Sequence, residues 1–139
     1  MIIGFKQFGV KNFVSETKAE EFVKYLEQGS MMTTRCKKCQ KITFPPKMDC
    51  ITCKVSEMEW IEINEIGKLE TFTVVMFGPA GFENETPYTL AVVKFPIGIK
   101  IFGQIDKKIP IEEIKVGMEM KVVPVKLLQN RFTYQFERV

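Results

Sequence analysis

Apolar residues recur along this chain with two different periods. Between positions 17 and 29, Ala19, Phe22, Val23 and Leu26 fall at i, i+3, i+4 and i+7, with Glu20, Glu21, Lys24, Glu27 and Gln28 among them. That spacing gathers the apolar side chains on one stripe and predicts an amphipathic helix of about three turns. Thr17-Lys18-Ala19-Glu20 reads as a capping box at its start and Gly29 as its stop. The stripe suits docking on its own domain or on a partner. The preceding segment carries Phe5, Phe8 and Phe13 around Gly4 and Gly9 without a clear period.

From Gly67 onward the period falls to two. Leu69 to Phe77, Tyr88 to Phe95, Ile99 to Ile105, Met120 to Leu128 and Phe132 to Arg138 are rich in Val, Ile, Phe, Tyr and Thr and predict five strands. Gly78-Pro79-Ala80-Gly81, Pro96-Ile97-Gly98 and Gln129-Asn130-Arg131 supply turns between them. In the third run Ile99, Ile101, Gly103 and Ile105 share the core face, opposite Lys100, Phe102 and Gln104. In the last, Phe132, Tyr134 and Phe136 oppose Thr133, Gln135 and Glu137.

Ile109 to Gly117, between the third and fourth runs, has Pro110 near its start and Gly117 at its end, which suits a short helix. Three strands, a short helix and two strands is the order of an OB-fold barrel, with a five-stranded sandwich as the alternative. Pro124 lacks an amide donor, so its strand is expected to have an opening, an edge or a bulge there.

Composition narrows the chemistry. The 139 residues include no His, four Cys and 45% hydrophobic side chains. A chain of this length can bury an ordinary core without disulfides. Without histidine it lacks the side chain most used as a general base or proton shuttle near neutral pH. The three serines, Ser15, Ser30 and Ser56, have no partner for nucleophilic catalysis, and no GxGxxG or P-loop pattern occurs. Glu57, Glu59, Glu62, Glu65, Glu112 and Glu113 read as solvated faces. Met31, Met32 and the other methionines read as packing. No secretory or membrane-spanning pattern is seen, so a cytoplasmic location and no membrane are expected.

The strongest chemical signal is Cys36-Lys37-Lys38-Cys39 followed, after ten residues, by Cys50-Ile51-Thr52-Cys53. Each CxxC turn aims two sulfurs at a common point, and a hairpin between the pairs brings four thiolates together around one structural zinc ion. Disulfides are disfavoured without a secretory signal, and redox CxxC pairs usually open a helix of a βαβ unit that is absent here. A four-cysteine site leaves no position for water or substrate and consumes every thiol, so the zinc is expected to fold the ribbon and not to catalyse. The patterns divide the chain into an N-terminal segment with the helix (1–33), a rubredoxin-like zinc ribbon (34–62) and an OB-fold domain (63–139). The fold class is mainly β with one N-terminal helix.

Charge is uneven. The formal net charge is +3, but residues 1 to 56 carry +5 and residues 57 to 139 carry −2. Arg35, Lys37, Lys38, Lys41, Lys47 and Lys54 surround the cysteines against Asp49 alone. Within the ribbon, Phe44-Pro45-Pro46 is stiffened by two fixed φ angles and reads as a turn or as a preformed apolar wall. Zinc ribbons and OB-folds also bind single-stranded nucleic acid, and Phe102 beside Lys100 is the best stacking candidate. The acidic balance of residues 57 to 139 and the single aromatic on a polar face make that the alternative reading.

The order of these motifs resembles a family of zinc-ribbon plus OB-fold proteins, long labelled a domain of unknown function, that accompany thiolases and related acyl-CoA enzymes. The resemblance rests on Arg35-Cys36-Lys37-Lys38-Cys39, Thr43-Phe44-Pro45-Pro46, Cys50-Ile51-Thr52-Cys53, Gly67 to Val75, Pro87-Tyr88 to Phe95 and Val116-Gly117-Met118. It covers about residues 17 to 125. Departures are Gln40 where many members have Gly, Asp49 before the third Cys, and Ile51 where Pro is usual. The resemblance implies a non-catalytic subunit that holds an acetyl-CoA acetyltransferase (thiolase) and, in archaea, hydroxymethylglutaryl-CoA (HMG-CoA) synthase in one complex, passing acetoacetyl-CoA toward mevalonate. Other members serve thiolase-like or hydratase partners in lipid or sterol degradation. Lys38, Lys41, Phe44, Pro45, Pro46 and Lys47 would form the acyl-CoA or partner surface, with lysines suited to the phosphates of coenzyme A.

Overall fold

A computed structural model describes residues 8–10, 19–81 and 86–139. Its helix, α1 (Glu21–Glu27), spans seven residues and so is a turn shorter than the periodicity suggests. Thr17 of the expected capping box lies outside the described residues, and Glu20, at the N-cap, makes no capping hydrogen bond through its side chain. The stop is as expected. Gly29 takes φ +85°, its amide donates to the Leu26 carbonyl at 3.0 Å, and the Ser30 amide reaches the Tyr25 carbonyl at 2.9 Å. This paired closure satisfies carbonyls that the last turn leaves unbonded. Ala19, Phe22, Val23 and Leu26 are all buried, so the stripe docks on the chain itself.

Strands β1 (Met32–Cys36), β2 (Ile42–Thr43) and β3 (Met58–Glu62) form an antiparallel sheet in the order β2-β1-β3. Strands β4 (Gly67–Val75), β5 (Tyr88–Lys94), β6 (Lys100–Ile105), β7 (Glu119–Leu127) and β8 (Arg131–Arg138) close a barrel in the order β4-β5-β6-β8-β7. All its pairs are antiparallel except β6 with β8, which meet only at Gln104–Gln135 and Ile105–Phe136. The five strands agree with the five expected runs, and closure decides for the OB-fold over the sandwich.

Ile109 to Gly117 contributes one 3-10 turn, Ile111–Glu113, and not a longer helix. Ile114 leaves it in an extended conformation and is buried, so core packing of that side chain ends the helical path. The β7–β8 turn, Leu128–Asn130, places Gln129 and Asn130 at φ 61° and 56°. Pro124 pairs with Tyr134 on one side, while β4 meets β7 only at Met120 and Glu119. Its missing amide therefore falls at the opening the sequence required.

The main apolar core runs from the barrel to the helix and the base of the ribbon, with a smaller cluster at the cysteine knuckles. Leu69, Val93, Phe95, Ile101, Met120 and Phe136 fill the barrel, and Phe22, Val23, Leu26, Met31 and Ile63 continue it under the helix and the ribbon. Gly67 makes closure possible: a Cβ there would lie 2.6 Å from Val93 Cγ1 and 2.8 Å from the Lys94 carbonyl oxygen.

Candidate metal centre and its surroundings

The ribbon tip is built from two knuckles with the same backbone design. The Cys36 carbonyl accepts from the Gln40 amide at 2.8 Å and the Cys36 amide donates to the Lys41 carbonyl at 2.9 Å. The Cys50 carbonyl accepts from the Lys54 amide at 2.7 Å and the Cys50 amide donates to the Val55 carbonyl at 2.9 Å. Each knuckle turns its two sulfurs toward the other pair, and the ligand atoms of Cys36, Cys39, Cys50 and Cys53 all lie within 4.8 Å of one another. Cys39 Sγ and Cys50 Sγ are 3.7 Å apart. Four sulfurs at about 2.3 Å from a tetrahedral zinc ion stand about 3.8 Å from each other, so the cluster fits that ion and the donor set suits it.

The surroundings act on two of the thiols in opposite directions. The Cys53 amide donates to Cys50 Sγ at 3.4 Å and heads the causes that draw the Cys50 thiol down to about 7. Hydrogen bonding to Cys39 and burial push the Cys53 thiol up to about 12. A divalent ion held by the four sulfurs would take the place of their protons. With all four positions taken by protein, the ion would hold the knuckles together and offer no site for substrate.

Gln40 and Lys54, one residue past each knuckle's second cysteine, take φ 65° and 55°. This left-handed conformation costs an ordinary residue about 1 kcal/mol relative to glycine. It gives a physical reason for glycine at this turn, and Gln40 offsets part of the cost by donating its side-chain amide to the Lys37 carbonyl at 2.9 Å. Gln40→Gly is expected to stabilise the ribbon by up to about 1 kcal/mol. A chelator titration of zinc-loaded protein checks it, the variant giving up metal more slowly.

The loop after the first knuckle is pinned by two hydroxyls of β1, that of Thr33 donating to the Thr43 carbonyl and that of Thr34 gripping Lys47. Thr34 Oγ1 donates to the Lys47 carbonyl at 2.7 Å and accepts from the Lys47 amide at 2.9 Å. Phe44 is half-buried and Pro46 buried, while Lys38, Lys41, Pro45 and Lys47 are exposed. The loop is thus fixed as expected, but the open apolar wall is reduced to Pro45, because Phe44 turns inward to complete the core. Phe44 meets Phe22 edge-on with ring centroids 5.9 Å apart and Tyr134 at 5.6 Å, and Phe8 meets Phe22 and Tyr134 at 5.8 and 6.1 Å. Four rings from the N-terminal segment, α1, the ribbon and β8 form one clasp. The alternation of β8 placed Tyr134 on the core face, but nothing in the sequence paired it with Phe44. Arg35, counted with the basic residues, is opposed across β1 and β3 by Glu59 at 2.5 Å. The lysines Lys37, Lys38, Lys41, Lys47 and Lys54 remain exposed around the metal centre.

Comparison with known proteins agrees with this architecture. Residues 24–59 match the family model described as the rubredoxin-like zinc ribbon domain of ChsH2, and residues 60–125 match that of the ChsH2 C-terminal OB-fold domain. A DUF35 domain-containing scaffold protein of Methanocaldococcus jannaschii is 34% identical over 98 residues, covering 70% of this chain and 69% of the relative. The chain belongs to the DUF35 family. A second relative, the benzoylsuccinyl-CoA thiolase subunit BbsA of Geobacter metallireducens, is 26% identical over 76% of this chain and 72% of its own. Among solved structures, the Ltp2-ChsH2(DUF35) aldolase superposes with a TM-score of 0.77 at 19% identity, covering 92% of this chain and 98% of that one. At that identity the likeness shows a shared fold. The relatives thus include a named scaffold and a named thiolase subunit, and among the described residues of this chain no helix is long and apolar enough to cross a membrane.

Proposed function

We propose that this chain is a non-catalytic accessory subunit of an acyl-CoA-processing complex. In this reading it bridges an acetyl-CoA acetyltransferase (thiolase) and HMG-CoA synthase, and helps acetoacetyl-CoA pass between them in the mevalonate pathway. The observation that carries it is the closed four-cysteine centre in a chain without histidine, set in a fold whose relatives bear the names of scaffolds and thiolase subunits. Every thiol is committed to structure, so the chain's own contribution is surface. The exposed Lys38, Lys41 and Lys47 with Pro45 present that surface, and coenzyme A phosphates are ligands that such lysines recognise as point charges. Phe44 and Pro46 hold the loop from behind.

A tagged pull-down from native extract, nuclease-treated and washed at moderate salt, tests the reading. Recovery of a thiolase, with or without HMG-CoA synthase, is expected. Recovery of nucleic-acid-processing proteins that disappear with nuclease would replace it with a single-strand-binding module. Purified alone, the chain is expected to show no thiolase or hydrolase turnover, and robust turnover would refute the accessory role.

A further inference from the structure

The outer face of an antiparallel barrel is ordinarily polar, because only the inner face is needed for the core. Here that face is apolar along one cleft. Leu90 on β5, Phe102 on β6, and Val125 and Leu127 on β7 line a cavity of about 510 Å³ that runs under Pro79 of the β4–β5 loop. Phe102 is 59% exposed, and the flanking loops carry Phe77 at 96% and Leu128 at 89%. None of these side chains belongs to the buried core. Gln104, paired across strands with Leu90 and Gln135, puts a carboxamide among them.

This is the face on which OB-folds hold their ligands, the second and third strands with the first and last hairpin loops. In a single-strand binder it would carry lysines between stacked rings. The lining described here has one cation, Lys107. The volume lies within the range of small-molecule sites, which are mostly apolar with a few convergent polar groups. Tyr134 forms a wall of the cleft and on its other side touches Phe44 of the ribbon loop, so the lysine-bearing loop and the cleft are joined through one ring.

We propose that this cleft on the barrel binds the apolar acyl or aryl group of an acyl thioester, with the Gln104 carboxamide donating to its carbonyl. The assignment rests on the acyl-CoA part of the reading above and places the acyl end on the barrel, apart from the lysines of the ribbon.

Calorimetric titration of the full-length zinc-loaded protein tests it with ligands that separate the two ends. The N-acetylcysteamine thioesters of acetate and octanoate carry the acyl group without phosphates, and unacylated coenzyme A carries the phosphates alone. The octanoyl thioester is expected to bind about 50-fold more tightly than the acetyl one, for half-buried methylenes. Val125→Glu and Phe102→Ser are each expected to weaken it at least tenfold while zinc content and thermal unfolding stay unchanged. Because Phe102 is exposed, the second variant keeps the test valid if the first fails to fold. Equal affinity for the two thioesters, or wild-type affinity in a folded Phe102→Ser, overturns the proposal. Octanoyl-CoA binding no tighter than free coenzyme A overturns the cleft and leaves the lysine reading standing. Octanoyl thioester binding without coenzyme A binding does the reverse. Tight oligothymidylate binding lost in Phe102→Ser would assign the face to nucleic acid.

Discussion

Cys36→Ser is expected to yield protein without stoichiometric zinc and with an unfolded ribbon. Cys36 is fully buried, ends β1 and supplies both backbone bonds of the first knuckle. Around it the apolar cluster is small, Cys36, Cys50 and Met58 with Met48 and Cys53 at its edge, and the ribbon otherwise lends Ile42, Phe44 and Trp60, each partly buried, to the main core. Burial of that size cannot offset the ordering of some two dozen residues, at about 1 to 2 kcal/mol each for the backbone alone. A bound metal would supply the difference: structural zinc contributes about 10 to 16 kcal/mol of apparent free energy in short zinc-finger peptides. The effect has a built-in reporter. The single tryptophan, Trp60 on β3, packs on Tyr25 of α1 with ring centroids 5.3 Å apart. Loss of the ribbon exposes it, so its emission shifts to the red as elemental analysis shows zinc falling toward zero. Thr52→Ala, an exposed change inside the second knuckle, is expected to keep both metal and emission. Full zinc occupancy in Cys36→Ser would remove that cysteine from the site.

The parts legible in the sequence are those whose signal is local. The period-two runs located every barrel strand to within about two residues, and two CxxC pairs named the four cysteines whose sulfurs converge, because both patterns are set by neighbours along the chain. Helix lengths were less legible. Ile114 ends its 3-10 turn in order to reach the core, and Ser30 closes α1 through its amide, which no side-chain pattern records. Phe44 shows the limit most clearly. Followed by two prolines, it has the composition of a rigid exposed wall, yet its direction is decided by Phe22 and Tyr134, which lie 22 and 90 positions away. The cleft on the barrel was equally hidden. Phe102 was placed correctly on the polar face, but its apolar company comes from β5 and β7, joined only by closure of the barrel.

The second large effect is expected at the ring that joins the two halves. Tyr134→Ala should cost about 2 to 3 kcal/mol, because it removes a partly buried ring from the centre of the aromatic clasp and strips Phe8, Phe22 and Phe44 of a shared neighbour. Gly103 would not fill it; a Cβ there would already lie 2.9 Å from Tyr134 Cε2, so the backbone and the ring are fitted to each other. Tyr134→Phe removes only the hydroxyl, which donates to the Phe102 carbonyl at 2.7 Å, and should cost about 1 kcal/mol. Denaturant unfolding followed by circular dichroism measures both. A double-mutant cycle with Phe44→Ala should return a coupling of about 0.5 to 1.5 kcal/mol, the worth of an edge-on ring pair beyond its burial. Burial also pushes the Tyr134 hydroxyl up from 10.0 to about 12. The folded state therefore resists its ionisation: the stability it supports is complete below pH 10 and declines as pH rises toward 12. Tyr134→Phe should flatten that alkaline decline relative to the wild type. An unchanged alkaline profile, or additive losses in the double mutant, would mean that ribbon and barrel are held together elsewhere. Tyr134→Ala is nevertheless expected to retain zinc, since none of the four ligands touches the ring cluster. Metal retention together with a large loss of stability would separate what folds the ribbon from what fastens it to the barrel.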